Sequence, residues 1–479
     1  MQEERDDRKA LIERLGSSSA SHMTEGTLVV VPSITFPARE LAKITGIQFY
    51  EERLLFLLLL LRAPGLRIVF VTSLRVDEPI VDYYLSFIDE ESRPGERLYL
   101  IALWDPAPDA LSEKLMRSEW ALDRMAELVQ DGVLLTFNVT SLEVEIADRI
   151  RAPLYGCPVE LVPLGSKSGS RRSAKRAGVE VLPGAEDLYS EEAIQEAVAR
   201  LRAEHPEAGA CVVKLNNGFS GQGNLIVELE DFGDLRSSTH RFCAEDEDWD
   251  GYLDKVAGEG AVVELLLRGE SVVSPSVQMR IGATGEFEVV STHDQILGGA
   301  DGHVYLGCRF PAQQDYRLAI QETGRQIARE LASQGVIGSF GIDCLIDLGS
   351  DPTTVYLSEI NLRLGGTTHP FLMAEYVTKG TYDEASGNLL VDDEPRFYSA
   401  TDNLKDGRLI GTPPQDLIRA VADAGLAYDP ATATGVTLHL LGALKRFGKF
   451  GAVCIAASPG EADELYGHLE ALIGRIVGD

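Results

Sequence analysis

The first third of the chain contains two kinds of hydrophobic pattern, one typical of strands and one typical of helices. Apolar runs rich in β-branched residues, typical of strands, are separated by longer stretches with helical spacing. The apolar runs are residues 28–36, 66–74, 97–103 and 132–139. Such alternation predicts a mostly parallel sheet covered by helices between residues 27 and 151. No GxGxxG sequence follows the first run, so this region does not match a dinucleotide-binding fold.

The pattern changes twice further along the chain. Residues 152–383 mix predicted hairpins with helices, and residues 384–414 are predicted to be rich in loops. The elements after them predict a small C-terminal α+β appendage: a helix at 415–425, strands at 435–444 and 450–458, and a helix at 460–477. We therefore expect an α/β and α+β fold in four parts: a flexible N-terminal extension (1–26), the αβ region (27–151), a mixed core (152–383) and the C-terminal region (384–479).

Residues 338–370 carry the most informative pattern. Two stretches with period-2 alternation flank turn residues, which predicts a β-hairpin. In that hairpin Asp343 lies directly opposite Glu359, where two like charges are destabilising. Asn361 and Arg363 follow on the same face as Glu359. A hard cation such as Mg²⁺, which prefers oxygen ligands, would relieve the repulsion; an acidic surface hairpin in an acidic protein is the alternative.

A glycine-rich loop, residues 216–224, lies between two predicted strands. It contains Gly218, Gly221 and Gly223, and Lys214 ends the strand before it. The loop is longer than a plain hairpin needs, and its N–H groups can approach an anion closely. Because a strand rather than a helix follows, a helix-dipole phosphate site is excluded. The pattern indicates a mobile flap over phosphates, with a surface hairpin as the alternative.

Two further segments contain candidate ligand-binding residues. Lys167 precedes a predicted helix at residues 168–177. The other basic residues of this segment are expected to form a solvated face: Arg171, Arg172, Lys175 and Arg176. Further along, an apolar strand ends at Glu264, and Leu265–Leu267 and Glu270 follow. Apolar walls suit adenine and a carboxylate suits ribose hydroxyls, although a buried strand and a turn would explain the same residues.

Composition narrows the class of protein. The chain has 479 residues, of which 44% are hydrophobic and 25% charged, as in ordinary soluble proteins. Its net charge of −31 argues against nucleic-acid and anionic-membrane partners. The longest apolar run, Leu54–Leu61, is too short to span a bilayer, and no secretory signal is recognisable. Six cysteines without a CxxC pair indicate neither zinc nor a disulfide framework, so a cytoplasmic location is expected.

The order of these signals resembles the ATP-grasp superfamily over roughly residues 152–370. A lysine before a helix, a second lysine with a glycine-rich flap, an apolar strand ending in glutamate and an acidic hairpin succeed one another there. The N-terminal αβ region resembles a pre-ATP-grasp domain. Residues 27–479 as a whole are similar to the peptide ligase family of pheganomycin biosynthesis.

The resemblance implies a role for each candidate residue. Lys167 and Lys214 would contact the α- and β-phosphates of ATP. Glu264 and the backbone near Leu267 would meet adenine, and Glu270 the ribose. The flap over the phosphates would include Gly218, Ser220, Gly221 and Gly223. The Mg²⁺ ligands would be Asp343, Glu359 and Asn361.

One position departs from the pattern of many amino-acid ligases in this superfamily. They carry an arginine two residues before the first metal carboxylate, where this chain has Gly341. Stabilisation of an oxyanion is therefore expected from other arginines, namely Arg280, Arg309 and Arg363. The histidines near the core strands, His293 and His369, are expected to be structural rather than catalytic bases.

The resemblance predicts ATP-dependent ligation of a carboxylate to an amine. A small amino-acid-like carboxylate would be activated as an acyl-phosphate and joined to the amine of a peptide or amino acid, with release of ADP and phosphate. Two alternatives stay open: another ATP-grasp ligation, by carboxylation or with a thiol, and a nucleotide-binding regulator without turnover. A role in natural-product biosynthesis is expected, and a homodimer is one of the open oligomeric states.

Overall fold

A computed structural model describes residues 2–16, 18–218, 223–230, 232–244, 247–269, 271–298, 304–351 and 353–476. Three residues predicted to bind the nucleotide, Ser220, Gly221 and Glu270, lie outside these ranges. Within the ranges, no helix combines the length and the apolar character needed to cross a membrane.

The N-terminal region contains five described parallel strands in the order β3-β2-β1-β4-β5. They are β1 (Glu25–Val31), β2 (Gly65–Thr72), β3 (Leu98–Ala102), β4 (Gly132–Thr136) and β5 (Leu154–Tyr155). The α-helices of the region are α1 (Gln2–Leu15), α2 (Ala38–Leu41), α3 (Glu78–Leu85), α4 (Leu111–Met116), α5 (Glu119–Leu128) and α6 (Ser141–Ile150). The predicted parallel sheet is confirmed, because each of the four apolar runs overlaps one of the strands β1 to β4.

A smaller sheet follows, with the order β6-β10-β7-β8-β9 in the described residues. Its strands are β6 (Gly184–Leu188), β7 (Ala210–Leu215), β8 (Asn224–Glu228), β9 (His240–Phe242) and β10 (Ala261–Leu265). The helices around it are α7 (Lys167–Ala177), α8 (Glu191–Glu204) and α9 (Trp249–Glu259). The predicted hairpin around the glycine-rich loop is confirmed, since β7 and β8 pair antiparallel.

The largest sheet has eleven strands among the described residues. Its central order is β11-β15-β12-β13-β14-β19-β18-β17, with β16 beside β15 and β21 between β19 and β20. The strands are β11 (Val272–Val273), β12 (Pro275–Ile281), β13 (Phe287–Gly298), β14 (Val304–Phe310), β15 (Gly338–Asp347), β16 (Val355–Asn361), β17 (Thr381–Asp383), β18 (Asn388–Val391), β19 (Glu394–Lys405), β20 (Gly435–His439) and β21 (Lys449–Ala456). The accompanying helices are α10 (Gln314–Ser333), α11 (Thr368–Thr378), α12 (Pro414–Asp423), α13 (Leu444–Phe447) and α14 (Pro459–Ile476).

The C-terminal region is not a separate appendage. β19 pairs with β14 of the core on one side and with β21 on the other, so the C-terminal strands extend the core sheet. The prediction that residues 384–414 are rich in loops is wrong, because β18 and the 12-residue β19 lie there. The predicted C-terminal helices and strands themselves are confirmed as α12, β20, β21 and α14.

The N-terminal extension packs against the rest of the protein, contrary to the expectation of a flexible segment. Leu11 and Leu15 of α1 follow one another at the i,i+4 spacing and are 1% and 7% exposed. A short 3₁₀ helix, Ala20–His22, comes next, and the hydroxyl of Tyr376 donates a hydrogen bond to the Ser21 carbonyl. Hydrogen bonds from Arg8 to the Ala283 carbonyl and from Arg14 to the Gly132 carbonyl add to this apolar contact and hold the helix in place.

A leucine-rich 3₁₀ helix, Ile47–Arg62, brings the two ends of the chain together. A run of this length is unusual for a 3₁₀ helix, whose hydrogen bonds are poorer than those of an α-helix. Leu54–Leu61 are buried in one core that also contains Phe70 of β2 and Phe450 of β21. This shared core places residues of the N-terminal region beside C-terminal strands at one cleft.

Candidate active site

One cleft of about 1540 Å³ is lined by all three regions of the protein. It collects basic side chains in a chain whose net charge is −31. The basic residues in its wall are Lys43, Arg53, Lys167, Lys214, Lys255, Arg309, Arg363, Lys405 and Lys449. The predicted site residues in its wall are Lys167, Lys214, Gly218, Leu267, Arg309, Asp343, Glu359, Asn361 and Arg363.

The acidic hairpin forms as predicted. Asp343 of β15 faces Glu359 of β16 in the antiparallel register, and both side chains point into the cleft. Burial and the charge of Glu359 raise the pKa of Asp343 to about 6. Gln295 donates a hydrogen bond of 2.7 Å to one oxygen of Asp343, and the Asn361 amide donates one of 3.0 Å to the other. The two carboxylates thus share a site in which their repulsion is only partly relieved.

Lys167 connects the hairpin with the glycine-rich loop. It is the first residue of α7, which Ser166 caps by accepting the Gly169 N–H. The Lys167 ammonium donates to Glu359 Oε1 at 2.7 Å and to the Gly218 carbonyl at 2.8 Å. One lysine therefore contacts both Glu359 of the acidic pair and the start of the glycine-rich loop.

Lys214, Glu264 and Arg171 form a buried ion triad next to the cleft. Glu264 is 2% exposed, and its two oxygens lie 2.6 Å from Lys214 Nζ and 2.7 Å from Arg171 Nη1. Burial alone would raise the pKa of Glu264, but Lys214 and Arg171 hold it below its ordinary value. The carboxylate expected to meet adenine is thus enclosed by two cations. Glu264 itself is not among the residues that line the cleft, whereas its neighbours Leu265–Leu267 are.

Arg171 corrects the prediction of a fully solvated basic helix. It is 1% exposed and donates to Glu264, to Glu186 and to a backbone carbonyl. Seven of the eleven residues of α7 are buried, and Arg171 is one of them. The three remaining basic residues are exposed and paired with surface carboxylates, as expected: Arg172, Lys175 and Arg176.

The three candidate arginines lie in different places. Arg363 lines the cleft, donates to the Asn361 amide oxygen at 2.9 Å and lies beside the rings of Phe36 and Phe137. Arg309 also lines the cleft, half exposed and paired with Asp463. The expectation for Arg280 is wrong, because its side chain is bound to Glu288 and His22.

Packing explains why glycine rather than arginine occupies position 341. A Cβ atom at this position would lie 2.8 Å from Gln278 Oε1, so the side chain of Gln278 occupies the space that an arginine stem would need. Gln278 itself lines the cleft.

The two candidate histidines are buried in polar networks. His293 lies 2.7 Å from the Tyr398 hydroxyl, and burial lowers its pKa to about 3. His369 and His439 lie 2.9 and 2.7 Å from Asp402 Oδ1. Their three ligand atoms are close enough to hold a metal ion. However, the Arg53 guanidinium contacts the second oxygen of Asp402, so this carboxylate is already neutralised by a cation of the chain.

The sequence did not point to a second group of cleft residues: Tyr50, Arg53 and Lys449. Arg53 stacks on Tyr50, 4.2 Å from its ring centroid, and Lys449 donates to the Tyr50 hydroxyl at 2.6 Å. The only local signal was the polar start, EER, of an otherwise leucine-rich run. Lys449 carried no signal, because it follows a glycine at the start of an ordinary buried strand.

Comparisons with known proteins agree with this geometry. A family model described as IQCH-like, ATP-grasp matches residues 162–242 and 238–385, and one described as PGM1 C-terminal domain matches residues 416–469. The chain is 30% identical to L-propargylglycine–L-glutamate ligase of Streptantibioticus cattleyicolor over 97% of this chain and 98% of that protein.

Two solved structures show the same fold at low identity. A biotin carboxylase–β,γ-ATP complex of Campylobacter jejuni has a TM-score of 0.58 at 15% identity, covering 95% of each chain. An L-amino acid ligase of Bacillus licheniformis has a TM-score of 0.52 at 15% identity, covering 94% of this chain and 98% of that one. The predicted ATP-grasp fold is therefore confirmed. With its full-length relationship to the Streptantibioticus enzyme, this chain belongs to the ATP-grasp family of ATP-dependent carboxylate–amine ligases.

Proposed function

We propose that the protein joins a small, amino-acid-like carboxylate to the amine of an amino acid or peptide through an acyl-phosphate. The observation that carries this proposal is the opposition of Asp343 and Glu359 in the cleft, with Lys167 bound to Glu359. Two converging carboxylates beside a lysine are the chemistry expected around a metal-bound triphosphate.

Lys167 and Lys214 are the proposed phosphate ligands. Each ammonium lies at the cleft wall and is held by a carboxylate of the chain, Glu359 or Glu264. Phosphate oxygens would share these ammonium groups without leaving either carboxylate buried and unpaired, since Arg171 remains on Glu264. Gly218, tied to Lys167 through its carbonyl, would place the start of the flap beside the phosphates.

The donor set fits Mg²⁺. Asp343 and Glu359 would supply carboxylate oxygens, and the repulsion that raises the pKa of Asp343 would fall with a cation between them. Asn361 would act as a third ligand after its amide turns over, because its NH₂ group now faces Asp343 and its oxygen faces Arg363. When bound, the ion supplies neutralisation of phosphate charge.

The reaction then has two steps. An oxygen of the substrate carboxylate attacks the γ-phosphorus, the bond to the β-phosphate oxygen breaks, and ADP and an acyl-phosphate result. The amine next attacks the acyl carbon and loses a proton, and phosphate leaves as the amide forms. Arg363 is the proposed stabiliser of the negative charge on the acyl-phosphate. Arg309, which lines the cleft and is half exposed, would assist it.

The Streptantibioticus relative supplies a starting point for substrates. Its name states that it joins L-propargylglycine to L-glutamate. We therefore propose L-amino acids as the first class to test on both sides of the bond, with L-glutamate tested both as the carboxylate and as the amine substrate, in a natural-product pathway. The six cysteines are unpaired, which supports a cytoplasmic location, and a homodimer is the oligomeric state to test first.

A substrate screen tests this proposal. The purified protein is incubated with ATP, Mg²⁺ and pairs of carboxylates and amines, ADP release is followed by a coupled assay, and products are identified by mass spectrometry. We expect ADP release that needs both substrates, with one amide formed per ADP. ADP release with bicarbonate or a thiol in place of the amine would favour the other ATP-grasp reactions. ATP binding without ADP release for any pair would contradict the proposal in favour of a regulator.

A further inference from the structure

Lys449 is a buried cation without a carboxylate partner. It is 6% exposed and lines the cleft, and its ammonium donates to the Tyr50 hydroxyl at 2.6 Å and lies 4.9 Å from the centre of that ring. Across the described residues, no carboxylate lies within ion-pair distance of it. A buried charge is normally paired, because desolvation without an opposite charge is costly.

Arg53 lies on the same aromatic ring. Its guanidinium stacks over Tyr50, and its side chain is 13% exposed. One terminal nitrogen contacts Asp402, whereas Nε is buried and has no hydrogen-bond partner among the described residues. Of the two cations, only Arg53 is paired with a carboxylate of the chain, Asp402, so the positive charge of Lys449 is left for a ligand in the cleft.

The carboxylate of Asp402 is held in place by two histidines. His369 and His439 both hydrogen-bond to Oδ1, leaving Oδ2 for Arg53. Burial would raise the pKa of Asp402, but Arg53 and His369 hold it well below its ordinary value. The network therefore keeps Asp402 ionised, and it fixes the position of Arg53 at the cleft wall.

The position of Arg53 and Lys449 in the cleft indicates which group of a substrate they would bind. The carboxylate that becomes phosphorylated must lie near Asp343, Glu359 and Arg363, because the γ-phosphate would lie there. Arg53 and Arg363 both line this cleft, so the two sites belong to one cavity. A second anionic group of a bound substrate would reach Arg53 and Lys449 while the reacting group remained at Arg363.

We infer that Tyr50, Arg53 and Lys449 form a subsite for a substrate carboxylate that is not activated, namely the free carboxylate of the amino acid that supplies the amine. This inference rests on the proposed ligase function and adds the substrate class. The acceptor is an amino acid with a free carboxylate, rather than an amino-acid amide, an amino-acid ester or an amine without a carboxylate. Charge-assisted hydrogen bonds from a guanidinium and an ammonium would hold this group, and they would orient the amine towards the acyl-phosphate.

The experiment compares acids with their amides. Rates are measured for L-glutamate, for its α-carboxamide L-isoglutamine and for its γ-carboxamide L-glutamine as acceptors. If the substrate screen identifies another amino acid, that acid and its α-carboxamide are used instead. The wild type should prefer the acid by on the order of 10–100-fold in kcat/KM, the range expected for hydrogen bonds to a charged group. Lys449→Gln should lose this preference, mainly through KM for the acceptor, with an unchanged KM for ATP.

Two controls separate binding from folding. Lys445→Gln removes an exposed lysine from the neighbouring helix α13 and should keep the acid preference. Lys449→Gln should unfold at the wild-type temperature or above, since no ion pair of the chain is lost. If it does not fold, Lys449→Arg replaces it and should retain the preference, whereas loss of preference in this folded variant would overturn the inference.

The experiment distinguishes failure of the proposed subsite from failure of the proposed ligase function. An acid preference that survives in Lys449→Gln would overturn the subsite while leaving ligation intact. A different result would be that Lys449→Gln leaves the acceptor preference intact and weakens only the use of donor substrates that carry a second carboxylate. That result would overturn the assignment of the subsite to the acceptor. A wild type that forms no amide with any pair would instead contradict the proposed function itself.

Discussion

The two ends of the cleft handle their positive charges differently. At the proposed phosphate end, Lys167 and Lys214 each contact a carboxylate of the chain, and Arg171 shares Glu264 with Lys214. At the other end, Lys449 has a tyrosine hydroxyl in place of a carboxylate. A paired cation keeps its geometry before the ligand arrives, whereas an unpaired one gains its partner from the ligand. This difference in pairing distinguishes the proposed phosphate site, where Mg²⁺ would also neutralise charge, from the proposed carboxylate subsite, where the substrate would supply the counter-charge.

Removing a carboxylate of the acidic pair should have the largest effect. Glu359→Gln loses a proposed metal ligand and the partner of Lys167, so ADP release should fall by about 10³-fold with no loss of fold. Steady-state ADP release and circular dichroism check both parts. The control is Asp351→Asn, an exposed carboxylate in the turn of the same hairpin, which should retain activity. Unchanged ADP release in Glu359→Gln would remove the basis of the proposed site.

The second prediction concerns the stability of the ion triad. Arg171→Met leaves Glu264 buried with one cation instead of two, and the free energy of unfolding should fall by about 3–5 kcal/mol, the usual cost of breaking a buried pair. Chemical denaturation measures the change. Arg172→Met, next in the chain but exposed and paired with Asp187, should change it by less than about 1 kcal/mol. Equal effects of the two variants would contradict the buried triad.

The third prediction separates the two ends kinetically. Lys214→Met should raise KM for ATP by about 10–100-fold through loss of a charged contact to phosphate, with the preference for acid over amide acceptors intact. The matched control, Lys175→Met, removes an exposed lysine paired with Glu186. A parallel loss of acceptor preference in Lys214→Met would mean that the two ends form one site.

The smallest expected effect is a pH dependence of the free energy of unfolding, caused by Glu52, which precedes Arg53 in the chain. Glu52 is 4% exposed and accepts the Gly442 N–H, and burial raises its pKa to about 8. Its contribution to stability is complete below its unfolded pKa and is lost as pH rises through 8. Glu52→Gln keeps an acceptor for Gly442 and carries no charge. Its stability relative to wild type should therefore increase by about 1 kcal/mol between pH 7 and pH 8.

Thermal or chemical unfolding at the two pH values measures this change. Glu145→Gln, at an exposed position of α6, serves as the control and should show no such increase. A wild type and a Glu52→Gln variant with parallel pH profiles would show that Glu52 is ionised in the folded protein.

The sequence could predict what local patterns determine. Asp343 and Glu359 belong to one hairpin, so strand alternation and a turn were enough to place them opposite each other. Lys167 and Lys214 were identified because each stands beside a recognisable local element. The parallel sheet followed from apolar, β-branched runs that alternate with helical stretches.

What the sequence could not predict depends on contacts between distant segments. Arg171 looked like part of a solvated face, because its partner Glu264 lies 93 residues further along. Tyr50 and Lys449 meet across 399 residues, and nothing in either segment anticipates the other. The packing of Leu11 and Leu15 also required the folded core, since their helix is otherwise polar. The proposed carboxylate subsite of Tyr50, Arg53 and Lys449 therefore could not be predicted from the sequence.

The most direct test of the central claim follows an oxygen atom. The donor carboxylate is labelled with ¹⁸O, and the protein is supplied with ATP, Mg²⁺ and an acceptor amine. Activation as an acyl-phosphate predicts that each amide formed is accompanied by ADP and by one inorganic phosphate carrying a single ¹⁸O from the donor. Unlabelled phosphate alongside amide product, or label recovered in AMP, would contradict the account.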